Sequence, residues 1–238
     1  MKYESIDSKL FIKNRANFSR EMKKNSIAFF NSNDIYPVSA DSTLPFEQHR
    51  DIFYLSGIDQ EESILVLCPD NPNPDLREIL FLKETNDHIA VWEGPKINKT
   101  QALEISGIKT VFWLKDLEKL VDKLVSTCHN IYFNKNEHYR AKIETETREA
   151  RFNIWLEKKY PKKNKERSNP ILQRLRSIKD HKEISLIQQA CDITNKGFRR
   201  ILGFVKPGVW EYEIEAEFIH EFLINRSKKF AYTPIIAS

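Results

Sequence analysis

The chain has 238 residues, 40% hydrophobic and 30% charged, with a net charge of +4. That suits a globular protein with one large domain, or one domain and part of another. The charge is too small to argue for nucleic acid, no apolar run reaches the roughly 20 residues of a membrane span, and Met1 to Ser5 shows no apolar signal segment.

Leu10 to Lys24 predicts an amphipathic helix, with Leu10, Phe11, Asn14, Phe18 and Met22 on or near one face. Ser26 to Phe30 reads as a strand, Asn31 to Asp34 as a turn, and Tyr36 to Pro45 as irregular chain. Phe46 to Gly57 begins polar and ends in an apolar, aromatic run. An acidic turn, Ile58 to Glu62, leads into Ser63 to Cys68, a continuous apolar run of the kind that forms a strand buried on both faces. Glu78 to Leu82 is a second such run, and the short turn between them predicts neighbouring antiparallel strands.

His88 to Val91 reads as a short strand that ends in Trp92-Glu93-Gly94-Pro95, which sets Trp92 on a loop tip. Thr100 to Ser106 reads as a helix closed by Gly107, and Val111 to Leu114 as a strand. Asp116 is placed to cap a helix to about Thr127. Ile131 to Phe133 is a strand, and a long helix is expected from near Tyr139 to Lys159. This alternation predicts an α/β domain with a mixed sheet over residues 1–160.

The basic run Lys158 to Arg167 is the sharpest change in composition, and a solvated linker over 161–175 is preferred to a nucleic-acid patch. From 176 the character is different. Asp180 and Glu183 form a capping box ahead of a helix, Lys206-Pro207-Gly208 breaks it, and a second helix spans about Glu211 to Asn225. Tyr232 to Ser238 reads as a strand. A helical hairpin and one strand are too little for a core, so 176–238 is expected to be an incomplete domain.

Residue types that carry chemistry are scattered. Cys68, Cys128 and Cys191 are odd in number and far apart, which suits free thiols in a reducing compartment, the cytoplasm, and argues against a disulfide frame or a zinc site. His220-Glu221 would need a second histidine at 224 to make a zinc-protease helix, and 224 is Ile. The row Glu211, Glu213, Glu215, Glu217 and Glu221 reads as the solvated face of a helix. No set of Asp, His and Glu has metal-ligand spacing, so no metal ligand and no catalytic residue is assigned.

The order of residues in several stretches nevertheless resembles one family. Phe46-Glu47-Gln48, a polar link, Phe53-Tyr54-Leu55-Ser56-Gly57 and the acidic turn before Ile64-Leu65-Val66 resemble the N-terminal domain of aminopeptidase P. Trp92-Glu93-Gly94 looks like its Trp-x-Gly motif. Arg176-Ser177-Ile178-Lys179-Asp180 with Glu183-Ile184, Pro207-Gly208 with Glu211 and Glu213, and Tyr232 to Ser238 look like the opening of its catalytic domain.

The resemblance implies a creatinase-type α/β domain followed by the start of an α+β pita-bread domain. It implies a metal-dependent enzyme that releases the N-terminal residue from peptides with proline in second position. Two divalent ions, usually manganese, would activate a water and polarise the scissile carbonyl. It also implies a homo-oligomer, a dimer or tetramer, with Trp92 as a substrate-binding residue reaching a neighbouring subunit's active site. The alternative for Trp92 is to lie flat on its own domain. In the family order the metal ligands follow the strand at 232–238, so this segment alone is expected to be inactive. The alternative is a non-catalytic binding or oligomerisation module of the same origin.

Overall fold

The structure, a computed structural model, describes residues 3–140 and 143–236, without the side chains of Asp87, Ile89 and Trp92. It divides into two compact units, Ile6–Ser177 and Ile178–Ser238 with Met1–Ser5.

The Ile6–Ser177 unit is built on a six-stranded sheet. Its strands are β1 (Ser26–Asn31), β4 (Ile64–Leu67), β5 (Glu78–Leu82), β6 (Thr110–Trp113), β7 (Asn130–Phe133) and β8 (Asn164–Arg167), in the order β6-β5-β4-β1-β7-β8. β4 pairs antiparallel with β1 and β5, while β5–β6, β1–β7 and β7–β8 are parallel. The expected mixed sheet and the expected β4–β5 pair, with Ile64 opposite Phe81, are both present.

Apolar residues on these strands alternate between the two faces, as a period of two requires. Ala28, Phe30, Leu65, Leu67, Leu80 and Leu82 pack with Phe18 of α1 (Ser8–Glu21), Leu55 of α2 (Arg50–Ser56), Ala102 of α4 (Lys99–Ser106) and Leu172 of α7 (Asn169–Ser177). Ile27, Phe29, Ile64, Val66, Ile79 and Phe81 pack on the other face with Leu124 of α5 (Leu117–Ser126) and Leu156 of α6 (Arg148–Lys159). Both faces are covered, which is why the strands read as unbroken apolar runs.

Local signals fix the helix ends. The Lys9 amide donates to Asp7 Oδ1 at 2.9 Å, and Asn98 and Gln101 form a capping box at the start of α4. Gly57 closes α2 in the left-handed region (φ 71°), where a Cβ would run into the Phe11 ring.

Several expectations are corrected. Tyr36 to Pro45 is not wholly irregular; it forms a small exposed hairpin, β2 (Pro37–Ser39) with β3 (Ser42–Thr43). His88 to Val91 is not a strand but lies in α3 (Asp87–Glu93), where the Ala90 amide donates to Asn86 O at 3.0 Å. Four residues are too short for periodicity to separate the two states, and the left-handed Gly94 (φ 75°) ends a helix. Asp116 makes no side-chain cap, because it closes a 3₁₀ turn, Leu114–Asp116, that leads directly into α5. The long helix starts at Arg148 and not near Tyr139, since the Thr147 hydroxyl accepts from the Ala150 amide at 3.2 Å and caps it there.

The basic linker over 161–175 is also corrected. Asn164–Arg167 is an edge strand, in register with Asn130–Phe133, and most of the rest belongs to α7. Charged side chains are a common way to protect a sheet edge, so this basic run is a strand's exposed margin and not a tether. The first compact unit therefore extends past 160 to Ser177.

In the second unit, α8 (His181–Phe204) begins at the expected Asp180–Glu183 capping box, and α9 (Glu211–Ile224) follows the Pro207-Gly208 break. Phe218 stacks edge-on against Phe198 and Phe222, and a Cβ on Gly197 would lie 2.8 Å from the Phe218 ring. The acidic row is not simply solvated: Glu213 accepts from the Trp210 amide, and Arg200 faces both Glu217 and Glu221. Residues 232–236 are not a strand; no strand lies among the described residues of this unit to pair with them. Ala237 and Ser238 lie outside the described residues.

Candidate functional site: the Trp92 helix and its anchor

Gln48 stands just before α2 and is 7% exposed. Its Nε2 donates to Ile58 O at 3.0 Å, to Gln60 O at 2.9 Å and to Ser63 Oγ at 3.4 Å, while its Oε1 accepts from the His49 amide at 2.7 Å. One buried amide thus folds the acidic turn 58–63 against the start of α2. Within that turn Glu62 adopts a left-handed backbone (φ 49°), uncommon for a residue with a Cβ.

The turn in turn holds the chain around Trp92. Gln60 Oε1 accepts from the Ile97 amide at 2.6 Å, and Glu61, itself buried, pairs with Lys96. Lys83, just past the end of β5, reaches Glu62 at 3.2 Å and Glu93 at 2.8 Å, and Lys96 lies 3.8 Å from Glu93. The Lys83 hydrogen bond holds the Glu93 carboxyl below its usual range and raises the Lys83 ammonium. Glu93 is therefore held on the side of this turn, and with Lys96 and Ile97 it ties down the chain that follows Trp92.

Trp92 sits in the last turn of α3, not on a loop tip; its side chain lies outside the described part of the structure. Its neighbour Val91 is 75% exposed, and nothing lies within 4 Å of where a Cβ on Gly94 would be. The end of α3 is thus open. Gln48, Glu61, Glu62 and Glu93 of the motifs come together here. Sequence reasoning missed Gln60, Lys83 and Lys96, although two lysines flanking an acidic stretch were a readable signal.

A second polar centre lies where β1 and β7 end. Glu149 of α6 is 7% exposed and accepts from the Asn31 amide at 3.1 Å, from Asn31 Nδ2 at 3.0 Å and from Asn134 Nδ2 at 3.4 Å. Asn134 Nδ2 also donates to Asp51 Oδ2 at 3.1 Å, and Arg176 reaches Asp51 Oδ1 at 2.6 Å. Burial pushes the Glu149 carboxyl up to about 7, against the pull of its hydrogen bonds. His49, which caps α2 through its Nδ1, is lowered by burial more than Asp51 raises it.

Among the described residues, no group of three or more His, Cys, Asp or Glu is set to hold a metal ion. The oxygens of Asp51 and Glu149, the two carboxylates bridged by Asn134, are taken by Arg176, Asn31 and Asn134. The described donors do not fit a divalent centre. No helix among the described residues is long and apolar enough to cross a membrane.

The pattern of the aminopeptidase P N-terminal domain matches residues 11–132, which include Gln48, the acidic turn and Trp92. The chain belongs to the aminopeptidase P family. The pattern of metallopeptidase family M24, whose members use a divalent metal, matches residues 185–238. The chain therefore carries an aminopeptidase P N-terminal domain and the opening of the catalytic domain.

Human Xaa-Pro aminopeptidase 3 is 27% identical over 209 residues, 87% of this chain and 40% of that protein. The Xaa-Pro aminopeptidase of Escherichia coli is 24% identical over 241 residues, 98% of this chain and 53% of that protein. A solved structure from Bacillus anthracis, proposed to be an aminopeptidase P, superposes with a TM-score of 0.83 at 27% identity, covering 91% of this chain and 51% of that one. The chain thus spans about half or less of the length of these relatives.

Proposed function

We propose that the chain forms the non-catalytic part of a metal-dependent Xaa-Pro aminopeptidase, a cytoplasmic homo-oligomer that removes the first residue from peptides with proline second. The observation that carries this is the ordered match of the N-terminal domain over 11–132 and the metallopeptidase domain over 185–238 in one chain. The metal pair, manganese, belongs to the portion of the relatives that this chain does not span, and residues 1–238 alone cleave no peptide. Trp92 binds substrate: its backbone is clamped through Glu93 while the end of α3 stays open. An aromatic face on an open, rigid segment suits a proline ring.

The test uses the full-length protein from the complete reading frame. It should release the first residue from Xaa-Pro peptides, lose activity on chelation and regain it with manganese. Trp92→Ala should lower kcat/KM on these peptides and leave the Tm nearly unchanged. Absence of proline-directed cleavage after manganese loading would defeat the enzyme reading. A Trp92→Ala variant that loses several kcal/mol of stability, the cost of truncating a buried Trp, would make Trp92 a core residue.

A further inference from the structure

Two thiols that are 60 residues apart in sequence meet inside the Ile6–Ser177 unit. Cys68 directly follows β4, and Cys128 lies just past the end of α5. Their sulfurs are 3.4 Å apart, both residues are buried, at 1% and 3% exposed, and both are free thiols. A disulfide needs the sulfurs at about 2.05 Å, and rotation about the two Cα–Cβ bonds is the motion that closes such a gap. We propose that Cys68 and Cys128 form a redox-modification site, at which hydrogen peroxide converts the thiol pair into an internal disulfide.

The surroundings assign the two roles. The two sulfurs share a hydrogen bond in which either can be the donor, and their interaction lowers the Cys128 thiol and pushes the Cys68 thiol up. The positive Lys163, bonded to the Cys128 carbonyl, favours the thiolate at Cys128, while burial and Asp70 act against it; the Thr127 hydroxyl, 3.9 Å from the Cys128 sulfur, gives its own proton to Leu124 O at 2.8 Å. On the Cys68 side, Asn71 Nδ2 lies 3.9 Å from the sulfur. The thiolate is the nucleophile in such chemistry, so Cys128 reacts first.

The Cys128 thiolate attacks one peroxide oxygen and the O–O bond breaks. Cys128 becomes a sulfenic acid, and the departing hydroxide takes a proton and leaves as water. Cys68 then loses its proton and attacks the Cys128 sulfur. The S–S bond forms, the S–O bond breaks, and a second water leaves. Two thiols and one hydrogen peroxide give one disulfide and two waters: the sulfurs lose two electrons and the O–O bond gains them.

Access is compatible with this oxidant. Both sulfurs are buried, so the oxidant reaches them by local opening of the chain beside the exposed Asp70, Thr127 and His129. A two-atom oxidant needs little room, whereas a peptide-sized disulfide would need the strand end to open. Cys191, exposed on α8, belongs to the other compact unit and is not part of the pair.

The experiment treats the folded full-length protein with hydrogen peroxide, blocks remaining thiols with N-ethylmaleimide under denaturing conditions, and maps the digest by mass. The expected product joins the Cys68 and Cys128 peptides, with Cys191 alkylated, and it forms equally in Cys191→Ser. In Cys68→Ala the reaction should stop at a sulfenic acid on Cys128, captured by dimedone. Recovery of Cys68 and Cys128 both alkylated in the treated wild type overturns the proposal, as does a linkage to Cys191. The wild-type map decides the matter even if Cys68→Ala fails to fold.

Discussion

Glu149→Gln should change how the stability of this protein depends on pH. The carboxyl is buried, and its pKa is pushed from the ordinary 4.5 up to about 7. Between these values the folded state holds a proton that the unfolded chain has released, so stability falls as pH rises through this window. At about 1.4 kcal/mol per pH unit, the cost of keeping the charged carboxylate buried above pH 7 is about 3 kcal/mol. Glutamine carries no charge at any pH and escapes this cost. Its amide nitrogen would face the Asn31 and Asn134 donors, but the Oδ1 atoms of both asparagines are buried without a partner, so a turned Asn31 amide can accept from it. Urea midpoints of wild type and variant, taken from pH 5 to 8, isolate the effect because every other group titrates in both. The two should be of similar stability near pH 5, with the variant gaining by up to about 3 kcal/mol near pH 8. Parallel profiles over the whole range would show that Glu149 stays charged in the fold and would refute the reasoning.

Gly57→Ala and Arg15→Ala test the packing around α1, with Gly94→Ala as a control. Gly57→Ala should cost several kcal/mol, because φ is 71° and the new methyl meets the Phe11 ring; Gly94→Ala, at φ 75° with nothing within 4 Å, should cost only about 1 kcal/mol. Thermal melts of the two variants side by side check this, and equal losses would remove the role given to Phe11. Arg15 is fully buried in α1 and donates to Glu78 and to Leu55 O, both at 2.9 Å. Arg15→Ala leaves those partners unpaired and should cost about 3 kcal/mol, read as a lowered Tm; a loss under about 1 kcal/mol would mean that water replaces the guanidinium freely.

What was legible in the sequence is what is set locally or by uniform burial. β1, β4 and β5 showed because both faces of the sheet are covered, α4 because Gly107 closes it, and α8 because its Asp180–Glu183 box is local. The failures share a cause. β8 is an edge strand whose charged side chains face water, so its composition is that of a linker, and only its backbone bonds to β7 reveal it. The start of α6 was lost because Thr147 decides it, and a threonine amid charged residues carries no unique signal. The Cys68–Cys128 contact joins a strand end to a helix end 60 residues away, which the spacing of cysteines cannot show.

The family motifs gain a physical meaning from their hydrogen bonds. Gln48 is buried and its amide is engaged at both ends. Its product is the shape of the acidic turn. That turn presents Gln60, Glu61 and Glu62 on the side where the chain returns after β5, and these hold Ile97, Lys96 and Lys83. Glu93 is the last link, between Lys83 and Lys96, and it is the residue next to Trp92. The Phe-x-Gln, acidic-turn and Trp-x-Gly stretches, separate in the sequence, are therefore one mechanical unit. A tryptophan at the end of a seven-residue helix would be poorly placed by that helix alone, since so short a helix is marginal without support. A buried amide and two lysines supply that support to the backbone next to Trp92.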